Sequence, residues 1–235
     1  MPDAPLRLAL IGHGRMGRLV ERLAQENGQI IAAVFHADAP ATADALAGAD
    51  VAVDFSHAEA IPGTVAACAA AGVPLVTGTT GWHEAMPEVA AAAAGGLVVY
   101  GANFSIGVHV FYWLTAQAAV LFAKAGGYAP FLEEQHHAAK KDAPSGTALA
   151  LRRLVAASFP DEALKVAVTR AGHIPGTHRV GFDGIPDQVL LSHTARSREG
   201  FAQGALTAAS WAAAAYRDGR RGLVPFEDVM ADVLG

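Results

Sequence analysis

A chain of 235 residues can form one large domain or two modest ones, and a hydrophobic share of 52% is ample for a core even though alanine inflates it. The formal charge of −5 excludes generic nucleic-acid binding, which needs a broad basic face, so any anion site must be local. Cys68 is the only cysteine, which excludes an intrachain disulfide and argues against thiolate ligation of zinc.

Leu8-Ala9-Leu10-Ile11 is the first apolar run. Arg7 and Gly12 bracket it too closely for a signal peptide, so a cytoplasmic protein is expected. It ends in Gly12-His13-Gly14-Arg15-Met16-Gly17, and a helical pattern follows, with Met16, Leu19, Val20 and Leu23 on one face and Gly28 as a stop. Strand, glycine turn and helix together form the context of a dinucleotide fingerprint; the bare glycine spacing is unspecific. Gly12 permits the tight turn, Gly14 lets a pyrophosphate approach the backbone, and Gly17 lets the helix pack closely. Gly12, Gly14, Arg15, Met16 and Gly17 are therefore the candidate cofactor loop.

Gln29–Val34 reads as the second strand. Phe35 and His36 follow, where an acid would ordinarily bind the adenosine ribose. Asp38 is the nearest acid, and Arg15 and His36 can instead approach a 2′-phosphate. The cofactor expected is NADH or NADPH, with the choice open.

Val51–Phe55, Val73–Thr77 and Leu97–Tyr100 are further short apolar strands separated by alanine-rich helical segments, the pattern of a parallel sheet covered on both faces. Ser56-His57-Ala58-Glu59 predicts a capping box. Right-handed crossovers bring the strand C-termini to one edge, where ligands bind. Two loops there are cofactor candidates: Gly78, Thr79 and Thr80, with hydroxyls and amides for a ribose or nicotinamide, and Gly101, Ala102, Asn103 and Phe104, where Asn103 can pair with a carboxamide. Either loop taken alone is equally compatible with an ordinary turn.

Ile106–Ala123 is long and apolar, but His109, Thr115 and Gln117 interrupt it, so it is expected to be a buried core helix with no membrane partner. Phe131–Gln135 reads as a strand, Ser145–Ala157 as a helix, and Lys165–Thr169 and Gln188–His193 as strands with a turn-rich stretch between them. An alanine-rich helix over Phe201–Tyr216 returns to the first domain. The expected class is α/β: a Rossmann-type dinucleotide-binding domain (1–105 and 205–235) with a second α+β domain (106–204) for substrate binding and oligomerisation.

Glu134–Thr147 carries the most chemistry. His136, His137, Lys140 and Lys141 crowd together just ahead of a helix start at Pro144-Ser145-Gly146-Thr147. A helix N-terminus receives anions, cationic side chains beside it suit a small dicarboxylate or phosphate, and imidazoles move protons near neutral pH. A lone histidine pair is more often part of a solvated loop; the whole constellation is not so easily dismissed.

The chain resembles the 4-hydroxy-tetrahydrodipicolinate reductases, also called dihydrodipicolinate reductases, of bacterial lysine and diaminopimelate synthesis. The likeness runs over nearly the whole length. It rests on Gly14–Gly17, Thr77–Gly81, Ala102–Val108, His136-His137 with Lys140–Ala148, and Arg170–Gly176. The resemblance implies that His136 is the proton donor and acceptor, Lys140 the second catalytic residue and His137 a substrate contact. It implies that Gly146 and Thr147, beside Ser145, bind a substrate carboxylate, that Gly78–Thr80 and Gly101–Phe104 meet the nicotinamide cofactor, and that the protein is a homotetramer built through the second domain's sheet. Two features depart from the family pattern: the shorter spacing Gly12-His13-Gly14, and Phe35-His36 in place of the acid. Both concern adenosine binding and neither touches the chemistry. Other readings are a reductase of another small imino or keto dicarboxylate, a nicotinamide-binding redox sensor, and a metal hydrolase using His136, His137, His173 and His193. Lys140 would repel an ion there, and no metal is expected.

Overall fold

A computed structural model describes residues 4–160 and 164–235. The strands are β1 (Arg7–Ile11), β2 (Ile30–Phe35), β3 (Val51–Asp54), β4 (Leu75–Thr77), β5 (Leu97–Tyr100), β6 (Tyr128–His136), β7 (Lys165–Arg170), β8 (Thr177–Gly184), β9 (Gln188–Thr194) and β10 (Gly222–Pro225). The helices are α1 (Arg15–Glu26), α2 (Ala43–Leu46), α3 (Ile61–Ala71), α4 (Met86–Ala93), α5 (Ile106–Ala125), α6 (Gly146–Ala156), α7 (Glu199–Arg217) and α8 (Phe226–Leu234). The chain divides into two compact units, Met1–Ile106 with Glu199–Gly235, and Gly107–Arg198.

The first unit is a parallel sheet in the order β10-β5-β4-β3-β1-β2. Side chains alternate across a strand, so each strand serves two cores. Leu8, Leu10, Val51, Val53 and Val99 pack with α1, α7 and α8. Ala9, Ile11, Ala52 and Val98 pack with α3 and α4. This is the doubly wound Rossmann-type α/β arrangement read from the short apolar runs. In α7 the buried face is built almost wholly of alanine, which brings the helix backbone close to the sheet.

The second unit is a mixed sheet, β7-β6-β8-β9, in which only β6 and β7 run parallel. One face carries Leu132, Val180 and Phe182 and packs against Phe111 and Ala119 of α5 and Leu151 and Val155 of α6. The opposite face carries Phe131 over Gly181, Arg179 with Glu133 at 3.3 Å, and the exposed Leu190.

Several expectations change in detail. The capping box does not form: Ser56 turns its hydroxyl back onto Asp54, and a 3-10 turn starts only after His57, which caps nothing with its side chain. α5 is not buried all round. It hides Val108, His109, Phe111, Thr115 and Ala119, and it exposes Trp113, Leu114, Val120 and Leu121. By length and composition it is the one described helix apolar enough to cross a bilayer. The turn-rich stretch contains β8, which occupies the middle of the second sheet. Gly176, Gly181 and Gly184 disguise its alternation of His178, Val180 and Phe182. β10 and α8 were not anticipated. α7 begins at Glu199, whose carboxylate meets Arg22 of α1 at 2.6 Å, so the division between units falls before this helix and not at residue 205.

Two helical glycines should respond oppositely to alanine. A Cβ on Gly17 would run into the Gly12 carbonyl, which is backbone and has nowhere to go, whereas Gly63 in α3 faces open space. Gly17→Ala should lower stability by about 1–3 kcal/mol. Gly63→Ala should raise it by about 0.5–1 kcal/mol. Urea midpoints of both variants test this, and a Gly17→Ala protein as stable as the parent would contradict the packing.

Candidate active site

Strand order in the first unit reverses at β1, which lies between β2 and β3. Loops leaving β1 and β3 therefore diverge, and a crevice opens between them. It is a cavity of about 340 Å³ walled by Gly14, Arg15, Met16, Phe55, Ser56, His57, Gly78, Thr79 and Thr80. Gly12 takes φ +84°, and a Cβ there would strike the Phe55 carbonyl. Gly14 has no atom within 4 Å of where a Cβ would lie, so its backbone is open to a ligand. Gly14 is also the N-cap of α1, without a side-chain cap and with no acid in the first turn. Uncapped N–H groups at the start of a twelve-residue helix, with Arg15 beside them, fit a pyrophosphate.

One carboxylate organises this crevice. Asp54, at the end of β3, is fully buried and accepts hydrogen bonds from Ser56 Oγ at 2.5 Å, Thr77 Oγ1 at 2.7 Å and Thr79 Oγ1 at 2.7 Å. Thr79 Oγ1 in turn accepts the Ser56 N–H at 2.9 Å, tying the loop after β3 to the loop after β4. Burial pushes the Asp54 carboxyl above its ordinary range, and the three hydroxyls hold it back. Gly78 is required by shape, because a Cβ would enter the Phe55 ring.

The other cofactor candidates lie elsewhere. His36 is exposed and does not wall the cavity; it meets His13 edge-on at 5.6 Å, and His13 Nε2 lies 2.7 Å from Glu21 Oε2. Phe104 is a core residue against Phe226, with ring centroids 4.5 Å apart. The side-chain oxygen of Asn103 accepts the Ser105 N–H at 2.8 Å. Gly101 sits against Phe226 and Phe104, and the segment 101–104 is not part of the cavity wall.

In the second unit the sheet register gathers the chemistry. Glu134 and His136 are two apart on β6 and share its inner face. Glu134 lies opposite His178 on β8, and His136 opposite Arg170 on β7. Glu134 is completely buried. Its Oε1 accepts Arg170 Nη2–H at 2.7 Å and the Ser145 N–H at 3.0 Å. Its Oε2 lies 3.1 Å from His136 Nδ1 and 3.6 Å from His178 Nε2. Ser145 is the N-cap of α6: its Oγ accepts the Ala148 N–H at 3.2 Å and lies 3.0 Å from His178 Nε2. The Ala143–Pro144 peptide leading into this cap is cis.

Charge follows from these contacts. Burial alone would raise the Glu134 carboxyl, but hydrogen bonds from Ser145 and Arg170, with the guanidinium charge, hold it below its usual value. Burial lowers the His136 pKa; Glu134 opposes this, while Lys140 and Arg170 add to it. Burial takes His178 down to about 4, with help from His136. A carboxylate and two neutral imidazoles thus stand beside a helix N-terminus. Lys140 is half-buried with Nζ 2.8 Å from Asp142 Oδ1, whereas Lys141 is exposed. Asp142 is thus the partner of Lys140, and Lys141 faces solvent. His137 and Gly146 are exposed and Thr147 half-buried.

Reading the sequence missed Glu134, Arg170 and His178. A signal existed for the first: Glu134 falls between Leu132 and His136 on the inner face, where an unpaired acid is not tolerated. The histidines grouped as a hydrolase alternative do not form one cluster. His137 and His173 are exposed and His193 stacks on Phe111, while the ligand atoms that do lie within 4.8 Å of one another belong to Glu134, His136 and His178. Arg170 already occupies the other oxygen of that carboxylate.

Comparison with known proteins agrees with this layout. Residues 6–104 match the family model for the dihydrodipicolinate reductase N-terminus and residues 107–230 that for its C-terminus. A 4-hydroxy-tetrahydrodipicolinate reductase of Christiangramia forsetii is 32% identical over 97% of this chain and 99% of its own. One from Stenotrophomonas maltophilia is 41% identical, covering 89% of this chain and 92% of its own. Among solved structures, a dipicolinate-bound dihydrodipicolinate reductase from Paenisporosarcina sp. TG-14 superposes with a TM-score of 0.77 at 21% identity, over 96% of this chain and 99% of that one, a likeness of fold. The chain belongs to the dihydrodipicolinate reductase family.

Proposed function

We infer that the protein is an NAD(P)H-dependent oxidoreductase that reduces 4-hydroxy-tetrahydrodipicolinate to tetrahydrodipicolinate, a step of lysine and diaminopimelate synthesis. The observation that carries the reading is the convergence of His136, Lys140 and the capped start of α6 at one end of the second sheet, in a chain whose two halves both match this family. Loss of the hydroxyl as water would leave a conjugated ring, and a nicotinamide, when bound, would supply a hydride to the carbon that bore it. The substrate is a small ring with two carboxylates. Gly146 and Thr147, whose N–H groups have no acceptor within the helix, receive one carboxylate beside Ser145, and Lys140 contributes the positive charge. His136 delivers a proton to the ring carbon next to the one reduced, and His137 contacts the substrate. A bound dianion raises the pKa that burial holds down, so substrate binding arms the acid.

The exposed inner wall of the first-unit crevice takes the cofactor through Gly12–Gly17 and Gly78–Thr80. Gly101–Phe104 act on it indirectly, by packing Phe104 against Phe55. The cytoplasm is the setting this reading implies. The uncovered sheet face with Phe131 and Leu190 supports a homotetramer, and sedimentation velocity should find four chains; a monomer would sink the assembly.

Purified protein given enzymatically generated substrate should oxidise NADH and NADPH, followed at the nicotinamide absorbance band. His136→Gln should lose about 10²–10⁴-fold in kcat with little change in KM. An effect confined to KM would move His136 from proton transfer to binding. Lys140→Ala should cost about 2–5 kcal/mol of transition-state stabilisation, while the exposed Lys141→Ala should stay near the parent. Equal losses would mean the two lysines are misassigned.

Both cofactors should serve. No acid stands at Phe35 to repel a 2′-phosphate, and Arg15 is on the cavity wall. If kcat/KM for NADH exceeded that for NADPH by about a hundredfold, or 2.7 kcal/mol, Asp38 would be acting as the missing acid, and Asp38→Ala should then erase the preference.

A further inference from the structure

Two buried polar atoms in the second unit face each other without a completed hydrogen bond. Glu134 Oε2 and His136 Nδ1 are 3.1 Å apart, both sealed from solvent, and neither is aligned with any other partner. Leaving a buried donor and a buried carboxylate oxygen unmatched is costly, and a small turn of the ring joins them. The ring has little other freedom. Its far edge, Cδ2 and Nε2, lies against Gly176, where a Cβ would come within 3.2 Å of both atoms. Glu134 itself cannot move, because Arg170 and the Ser145 N–H hold its other oxygen.

The geometry points to Glu134 as a positioning residue that accepts a hydrogen bond from Nδ1–H of His136, keeping the proton on that nitrogen, and so makes Nε2 the nitrogen that exchanges protons with substrate. Resting on the assignment of His136 as proton donor, this adds which atom of the ring works and what selects it. In the donating form both nitrogens carry protons, with Nδ1–H against the carboxylate. Nε2 then gives its proton to the substrate carbon, and the ring is left neutral with Nδ1–H still in place, to be reprotonated at Nε2 from solvent. Glu134 also balances charge. The groups facing His136 are Glu134 on its own strand, Arg170 on β7, His178 on β8 with rings 5.1 Å apart, and Lys140 with Asp142 in the following loop. Lys140 and Arg170 oppose an imidazolium, and Glu134 is the buried group that favours it.

The tautomer can be read directly. Proton–nitrogen correlation spectra of the wild-type protein above pH 8, with the His136 signals identified by their loss in His136→Gln, should show the neutral ring protonated at Nδ1. A ring protonated at Nε2 overturns the proposal, and this measurement needs no Glu134 variant to fold. Glu134→Gln keeps an oxygen for Nδ1–H but removes the charge, so the falling alkaline limb of kcat/KM should move to lower pH by about 1–3 units. Each unit is a tenfold loss at a fixed alkaline pH, and KM for substrate should change far less. An unmoved limb with parental kcat overturns the role of Glu134 while leaving that of His136 intact. Parental turnover in His136→Gln would instead remove the proton-donor assignment, with the tautomer still reporting on the contact. Protein treated with EDTA should keep its activity; a loss restored by zinc would mean that Glu134, His136 and His178 hold an ion and would overturn the proposal.

Discussion

A carboxylate taken wholly out of water has to find its hydrogen-bond donors inside the protein. Two such groups decide where the loops of this chain go. Asp54 and Glu134 are both fully buried, and each sits near the C-terminal end of a strand. Asp54 draws in three hydroxyls, one from the end of β4 and one from each of the two loops that follow β3 and β4. Glu134 draws in a guanidinium and the N–H of a helix cap, with two imidazoles close to its other oxygen. In each unit the loops of the candidate site are shaped by what a buried acid demands.

The two acids shift in opposite directions, and the difference lies in the donors. Hydroxyl dipoles do not outweigh the loss of water around Asp54, so its pKa rises. Arg170 brings a full charge, and with the Ser145 contacts it holds Glu134 ionised. A carboxylate poised to hold a loop need not be charged at every pH. One that sits beside an imidazole proposed to pass through its cationic form should be. The cationic partner is thus as much a part of the second site as the acid is, although Arg170 lies 36 residues away in sequence.

Local pattern made most of the first unit legible. Short apolar runs between glycines became β1, β3, β4 and β5, and Gly12, Gly14 and Gly17 take the roles that a turn, an open backbone and a close helix approach require. Strand ends were less legible, because they depend on which carbonyl a neighbour reaches: β4 starts at Leu75 rather than Val73, since Pro74 has no N–H to give. Ser56 shows the limit of a local rule. The capping signature was complete, but a buried acid two residues earlier offered its hydroxyl a stronger acceptor. In the second unit His136 and Lys140 stood out by type, while Glu134, Arg170 and His178 are brought together only by pairings between strands distant in sequence. Nothing within a window of a dozen residues encodes such a register.

The order in which the chain leaves the ribosome bears on how the first unit forms. Its sheet lacks β10, and one of its two cores lacks α7 and α8, until residues beyond 199 have been made. Until then Leu8, Leu10, Val53 and Val99 have only α1 to cover them on that side. The second unit, with its sheet and two helices encoded without interruption between residues 107 and 198, is complete while the first is still open. At synthesis rates of roughly 5–20 residues per second, that would leave an apolar sheet face covered by α1 alone for seconds. The alanine surface of α7 suits the closing role: a smooth, nearly side-chain-free helix face can dock onto a preformed sheet without the side chains beneath it having to repack.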